Sequence, residues 1–133
     1  MNCLLDTQVL IWTLVKPDKL SGTARDLIRD PDVIKHVSTV SFLEMAIKMS
    51  IGKLSLEGIA LDDLPVMLHE RGVELIVLEP FETVSLSRLP LKVDHCDPFD
   101  RMLVCQAIKR NLTLISSDSK IALYREHGLS LIW

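Results

Sequence analysis

Cysteine is scarce in this 133-residue chain: Cys3, Cys96 and Cys105 are odd in number and show no CxxC spacing. That argues against a disulfide framework and a structural zinc site, and for buried, reduced thiols in a cytoplasmic protein. The chain opens with no basic leader and cleavage site, so no signal peptide is expected, and no apolar run is long enough to span a membrane. Positive charge is also in short supply. Fifteen Lys and Arg face 18 Asp and Glu, for a net charge of −3, so no global basic field draws the protein to nucleic acid. Any polyanion has to be held locally. Repeats, low-complexity tracts and linker-like shifts in composition are missing too. Residues 1–133 are therefore expected to form a single domain, long enough to bury a core.

What is present is an alternation of short apolar runs with stretches of helical periodicity. Cys3-Leu4-Leu5 reads as a strand ending at Asp6, and Thr7 to Leu14 as a helix stopped by Pro17. Ser21 to Arg29 reads as an amphipathic helix, Val33 to Val37 as a strand, and about Phe42 to Ser50 as a helix opened by a Ser41/Glu44 capping box. A helix over Leu61 to Glu70, a strand over Val73 to Leu78 and a short helix over Phe81 to Leu89 follow. Asp97 as cap, Pro98 in the first turn and Lys109-Arg110 at the end mark a helix from Pro98 to about Arg110. Leu112 to Ile115, Ser119 to Tyr124 and Leu129 to Trp133 complete the pattern as strand, short helix and strand. Repetition of strand and helix predicts an α/β domain with a parallel sheet.

Right-handed crossovers place the strand C-termini on one edge. Asp6, Glu44, Asp97 or Asp100, and Asp118 each follow an apolar run and would meet there. Each has a bland explanation as a helix cap, and Glu44 also forms a favourable four-residue pair with Lys48. Together they pose an electrostatic problem. Two carboxylates about 4 Å apart repel by roughly 4 kcal/mol at an effective dielectric near 20. Protons or a cation must relieve this, and a hard divalent ion with oxygen ligands is the natural answer. Mg2+ or Mn2+ suits carboxylates and water, whereas zinc would call for Cys or His. The corresponding chemistry is phosphodiester hydrolysis by a metal-activated water. Lys48, Lys53, Lys92 and Arg101 are candidate contacts to the nucleic-acid backbone. Trp12 reads as core rather than as a base-stacking platform, His36 as structural and His69 as surface.

These motifs resemble the PIN domain. The residues are Leu4-Leu5-Asp6-Thr7, Phe42-Leu43-Glu44-Met45-Ala46-Ile47-Lys48, Asp97-Pro98-Phe99-Asp100-Arg101-Met102-Leu103 and Ser116-Ser117-Asp118. More narrowly, the chain is similar to VapC-type toxins of bacterial toxin–antitoxin pairs. The resemblance covers nearly the whole chain. It implies a three-layer α/β/α domain with a central, mainly parallel sheet flanked by helices. It also implies a Mg2+- or Mn2+-dependent endoribonuclease, inhibited by a small cognate antitoxin and assembled as a homodimer or dimer of dimers. Carried over residue by residue, Asp6, Glu44, Asp100 and Asp118 match the four metal-binding and catalytic acids. Asp97 is a secondary ligand or a cap, and Thr7 and Ser117 are candidate hydroxyl contacts. Two other classes compete. An aspartyl-phosphate enzyme would have Asp6 as nucleophile, but Gln8 stands where such enzymes usually carry a second acid. A non-catalytic RNA- or protein-binding regulatory domain would have no need of all four acids.

Overall fold

The computed structural model describes residues 1–91 and 97–133, so Lys92, His95 and Cys96 lie outside the described residues. Five strands, β1 (Asn2–Leu5), β2 (Ile34–Ser38), β3 (Val73–Ile76), β4 (Thr113–Ile115) and β5 (Ser130–Ile132), form one sheet in the order β3-β2-β1-β4-β5. Every pairing is parallel, with Leu4 opposite His36 on one side and Leu114 on the other. The α-helices are α1 (Thr7–Val15), α2 (Gly22–Arg29), α3 (Thr39–Ser50), α4 (Leu64–Glu70), α5 (Pro80–Ser85) and α6 (Pro98–Arg110).

Side chains alternate across the strands and so supply two cores. Cys3, Leu5, Val37 and Ile115 face one side and pack with residues of α1, α2 and α4. Leu4, Ile76, Leu114 and Leu131 face the other side and pack with Met102, Leu103, Ala107, Ile121 and Tyr124. The chain crosses the sheet one way from β1 to β3 and the other way from β3 to β5. Right-handed crossovers then put the helices on opposite faces, which gives three layers. His36 is buried within the sheet, its Nδ1 3.0 Å from the Cys3 carbonyl, in keeping with a structural role.

The main departures from the sequence reading are at helix ends. α3 begins at Thr39, not Phe42, because the Ser38 hydroxyl caps it by accepting from the Val40 N–H at 3.1 Å. The Ser41/Glu44 capping box is therefore absent. Leu61 to Glu70 divides into a 3-10 turn over Leu61–Asp63 and α4, with Pro65 in the first helical turn, where its missing N–H costs nothing. Ser119 to Tyr124 is replaced by a 3-10 turn over Ile121–His127. β3 stops at Ile76, and α5 gives way to a 3-10 turn after Ser85. Helix α6 runs over its expected span, and Asn111 ends it in the left-handed conformation that favours Asn and Gly.

Candidate functional site

The strand order reverses between β1 and β4, and open α/β sheets form a crevice beyond the strand ends at such a point. Here the crevice is a cavity of about 240 Å³. Asp6, Thr7, Glu44, Lys48, Asp97, Asp100, Ser117 and Asp118 all line it, together with Gln8 and Ile11. Of the residues singled out in the sequence, Lys53 and Arg101 do not. Lys53 is exposed elsewhere, while Arg101 donates from Nη2 to the Leu89 carbonyl at 2.8 Å.

Asp6 holds two positions at once. Its N–H donates to the Ile115 carbonyl at 3.1 Å, continuing the β1–β4 pairing past the last strand residue. Its Oδ1 accepts from the Val9 N–H at 2.7 Å and caps α1. The capping explanation thus holds, yet the side chain is buried among other acids. Burial pushes its carboxyl up to about 7, opposed by hydrogen bonds from Ser116 and the Val9 amide and reinforced by the charges of Asp100 and Glu44. A cap alone would gain from being ionised; the surroundings of this one push it toward the neutral form.

Glu44 keeps its pairing with Lys48 but has no capping role. It lies in the second turn of α3, beyond reach of the helix start, and is only 5% exposed. Oε2 accepts from Lys48 Nζ at 2.6 Å, while Oε1 is buried without a hydrogen-bond partner. An acid oriented into the cavity with an unsatisfied oxygen is costly unless something binds there. The Lys48 ammonium is the resident counter-charge. Its pKa is raised, chiefly by the hydrogen bond to Glu44 and further by the fields of Asp97 and Asp100.

Asp97 caps α6, its Oδ1 accepting from the Phe99 and Asp100 N–H groups at 2.9 and 3.1 Å. That cap sets Asp100 in the first turn, half-buried on the cavity wall. Asp118 Oδ1 accepts from the Lys120 N–H at 2.9 Å, and its own N–H donates to Ser116 Oγ at 3.1 Å. Ser116 therefore ties two of the acids together, Asp6 and Asp118, a role with no signature in the sequence beyond its place at a strand end. Thr7 Oγ1 donates to Ser41 Oγ at 3.0 Å, joining α1 to α3 below the cavity.

The donors are carboxylate and hydroxyl oxygens, with neither Cys nor His on the wall. An oxygen-only set with an orphaned buried oxygen and mutually repelling acids fits a hard divalent cation. Among the described residues no three acids, histidines or cysteines already stand in a metal-holding arrangement; Lys48 takes up one Glu44 oxygen instead. Cysteine chemistry is absent from the site. Burial raises the Cys3 thiol to about 11 and also raises that of Cys105, so neither is a ready thiolate.

The PIN domain family model matches residues 3–126. No curated protein matches the chain in sequence. Among solved structures, the chain resembles VapBC2 from Rickettsia felis, crystallised with a DNA fragment from its promoter, with a TM-score of 0.70 and 18% identity. The match covers 100% of this chain and 99% of the other. It also resembles VapBC-1 from nontypeable Haemophilus influenzae, with a TM-score of 0.67 and 19% identity, covering 99% and 97% of the two chains.

Proposed function

The chain belongs to the PIN domain family, and from that premise we propose that it is a Mg2+- or Mn2+-dependent endoribonuclease, the toxin of a toxin–antitoxin pair. The observation that carries the proposal is the convergence of Asp6, Glu44, Asp100 and Asp118 on one cavity at the strand-order reversal. The two VapBC structures support a small antitoxin protein as partner, by likeness of fold. No helix among the described residues is long and apolar enough to cross a membrane.

Asp6, Glu44, Asp100 and Asp118 would hold the ion, with Asp97 at the rim. A bound divalent cation would neutralise phosphate charge and make a water more acidic. The protein's own groups do the remainder. Ser116 fixes Asp6 and Asp118 relative to each other. The Asp97 cap orients the first turn of α6, and thereby Asp100. Lys48, nearly half exposed and adjacent to Glu44, is placed to meet a phosphate oxygen at the cavity mouth. Thr7 and Ser117 supply hydroxyls on the same wall.

Glu44→Gln and Asp100→Asn test the assignment because neither acid caps a helix. Each should lower metal-dependent cleavage of RNA by at least about 100-fold, in proportion to the transition-state stabilisation that such groups supply, with an unchanged circular dichroism spectrum. Wild-type rates in both variants would refute the site. A protein that neither retains Mn2+ in a titration nor cuts RNA would instead be a binding domain.

A further inference from the structure

The acidic cavity does not end at Asp6. Gln8 and Ile11 also belong to the wall of a larger groove, about 530 Å³, that continues along α1 past Trp12 and Lys16 to Lys19. Leu54 and Ser55 form part of the opposite wall, and Glu57 is the one acid on the groove's lining. Lys16 and Lys19 are exposed, and Trp12 is half-buried. Its ring leans on Trp133, with centroids 5.8 Å apart and planes at 45°, while Lys19 Nζ lies over the ring 5.8 Å from its centroid. The ring packs in part against the core, and its half-buried remainder lines the groove beneath the Lys19 ammonium.

We propose that this groove carries the single-stranded stretch of RNA next to the cleaved phosphate, with a base stacked on Trp12 and the backbone held by Lys16 and Lys19. The inference rests on the nuclease reading of the acidic cavity. An acidic cavity repels the polyanion it has to cut, and a chain of net charge −3 offers no general attraction. Affinity must come from local cations beside the cavity, and two of them line the groove that opens from it. A flat aromatic face in a groove that also carries lysines is the usual platform for an unstacked base. Duplex RNA keeps its bases stacked inside, so a half-buried indole lining a groove selects a single strand or loop. On binding, the base displaces the Lys19 ammonium from the ring, and the ammonium moves to a phosphate. Two lysines to one acid on the groove lining favour a polyanion over a polypeptide.

The test is binding of a fluorescein-labelled ten-nucleotide RNA, U10, by fluorescence anisotropy in Mg2+ across a salt series. All proteins carry Asp6→Asn so that cleavage does not interfere. Replacing Lys16 and Lys19 together by Ala should flatten the plot of log affinity against log salt by about 1.4, since each single-strand phosphate contact contributes about 0.7. Trp12→Leu should weaken binding roughly 5- to 150-fold, the range for loss of one base–aromatic stack. The double lysine variant changes only exposed side chains, so it remains informative if Trp12→Leu fails to fold. Equal affinity and slope in parent and lysine variant would overturn the proposal and leave the groove to a polypeptide partner. Failure of the parent to bind U10 would overturn it as well. Metal-dependent cleavage by the protein with Asp6 intact, measured on longer RNA, reports separately on the nuclease reading.

Discussion

Asp6 carries two demands that move its proton in opposite directions: a helix start that favours the carboxylate, and a buried acidic setting that disfavours it. The second prevails, and the carboxyl sits at about 7 instead of its usual 3.8. Between about pH 4 and pH 7 the folded chain holds a proton there that the unfolded chain has released, so raising pH across that window weakens the fold. Below the window both states are protonated and there is no penalty. Above it both are ionised and the penalty is full, on the order of 4 kcal/mol from a shift of about three units. The metal-free protein should therefore lose stability to urea between pH 5 and pH 8 relative to Asp6→Asn, in which Asn keeps the cap without the charge. Saturating Mg2+ should restore much of the loss at pH 8. An unchanged difference between the two proteins at both pH values would contradict this account of Asp6. At this scale the sequence was legible where an acid followed a strand, as at Asp6 and Asp118. It was misleading at Glu44, whose apparent capping partner, Ser41, is used by Thr7. Trp12 was read as core and does pack against it, but the groove that it also lines was not legible, because its opposite wall comes from Leu54 and Ser55, distant in the chain.

Helices were legible where local chemistry alone sets them. The Asp97 cap, Pro98 and the terminal basic pair marked both ends of α6. Contacts between elements were not, because nothing in the local pattern links α5 to α6. Glu82, with no exposed surface, forms an ion pair with Arg110 and accepts from Gln106 Nε2 at 3.1 Å, while Arg110 Nη2 also reaches the Val77 carbonyl at 2.8 Å. Burial by itself would raise the Glu82 carboxyl, but the Arg110, Glu79 N–H and Gln106 bonds hold it below its usual range. Arg110→Ala leaves that carboxylate buried without its cation and should cost about 3 kcal/mol in chemical denaturation, the low end for a broken buried pair because Arg110 is partly exposed. A loss under about 0.5 kcal/mol would show that Gln106 and the helix start suffice.

The parallel sheet followed from the alternation of strand and helix, its three layers from the resemblance to the PIN domain, and the acids' common edge from crossover handedness. Strand order was not deducible, since the reversal between β1 and β4 depends on where the chain recrosses the sheet after β3. Nor was the exposed face of α3 visible as such. Leu43, Ile47 and Ile51 recur every fourth residue and are 56%, 43% and 59% exposed. An exposed apolar stripe at this spacing is suited to recognition, and we propose it as the contact of the homodimer that the family resemblance implies. Ile47→Lys should shift the purified protein toward the monomer in analytical ultracentrifugation; a wild-type sedimentation profile would place the dimer contact elsewhere.

The central claim, that four acids at one sheet edge make a metal-dependent ribonuclease, is tested most directly by cleavage of total RNA by the purified protein. The reaction is run with Mn2+ or Mg2+, with EDTA, and with Asp6→Asn. The account predicts cutting that appears with the metal, disappears with EDTA and is absent from the variant at every metal concentration. Cutting that persists in EDTA, or in Asp6→Asn with the metal present, would contradict it.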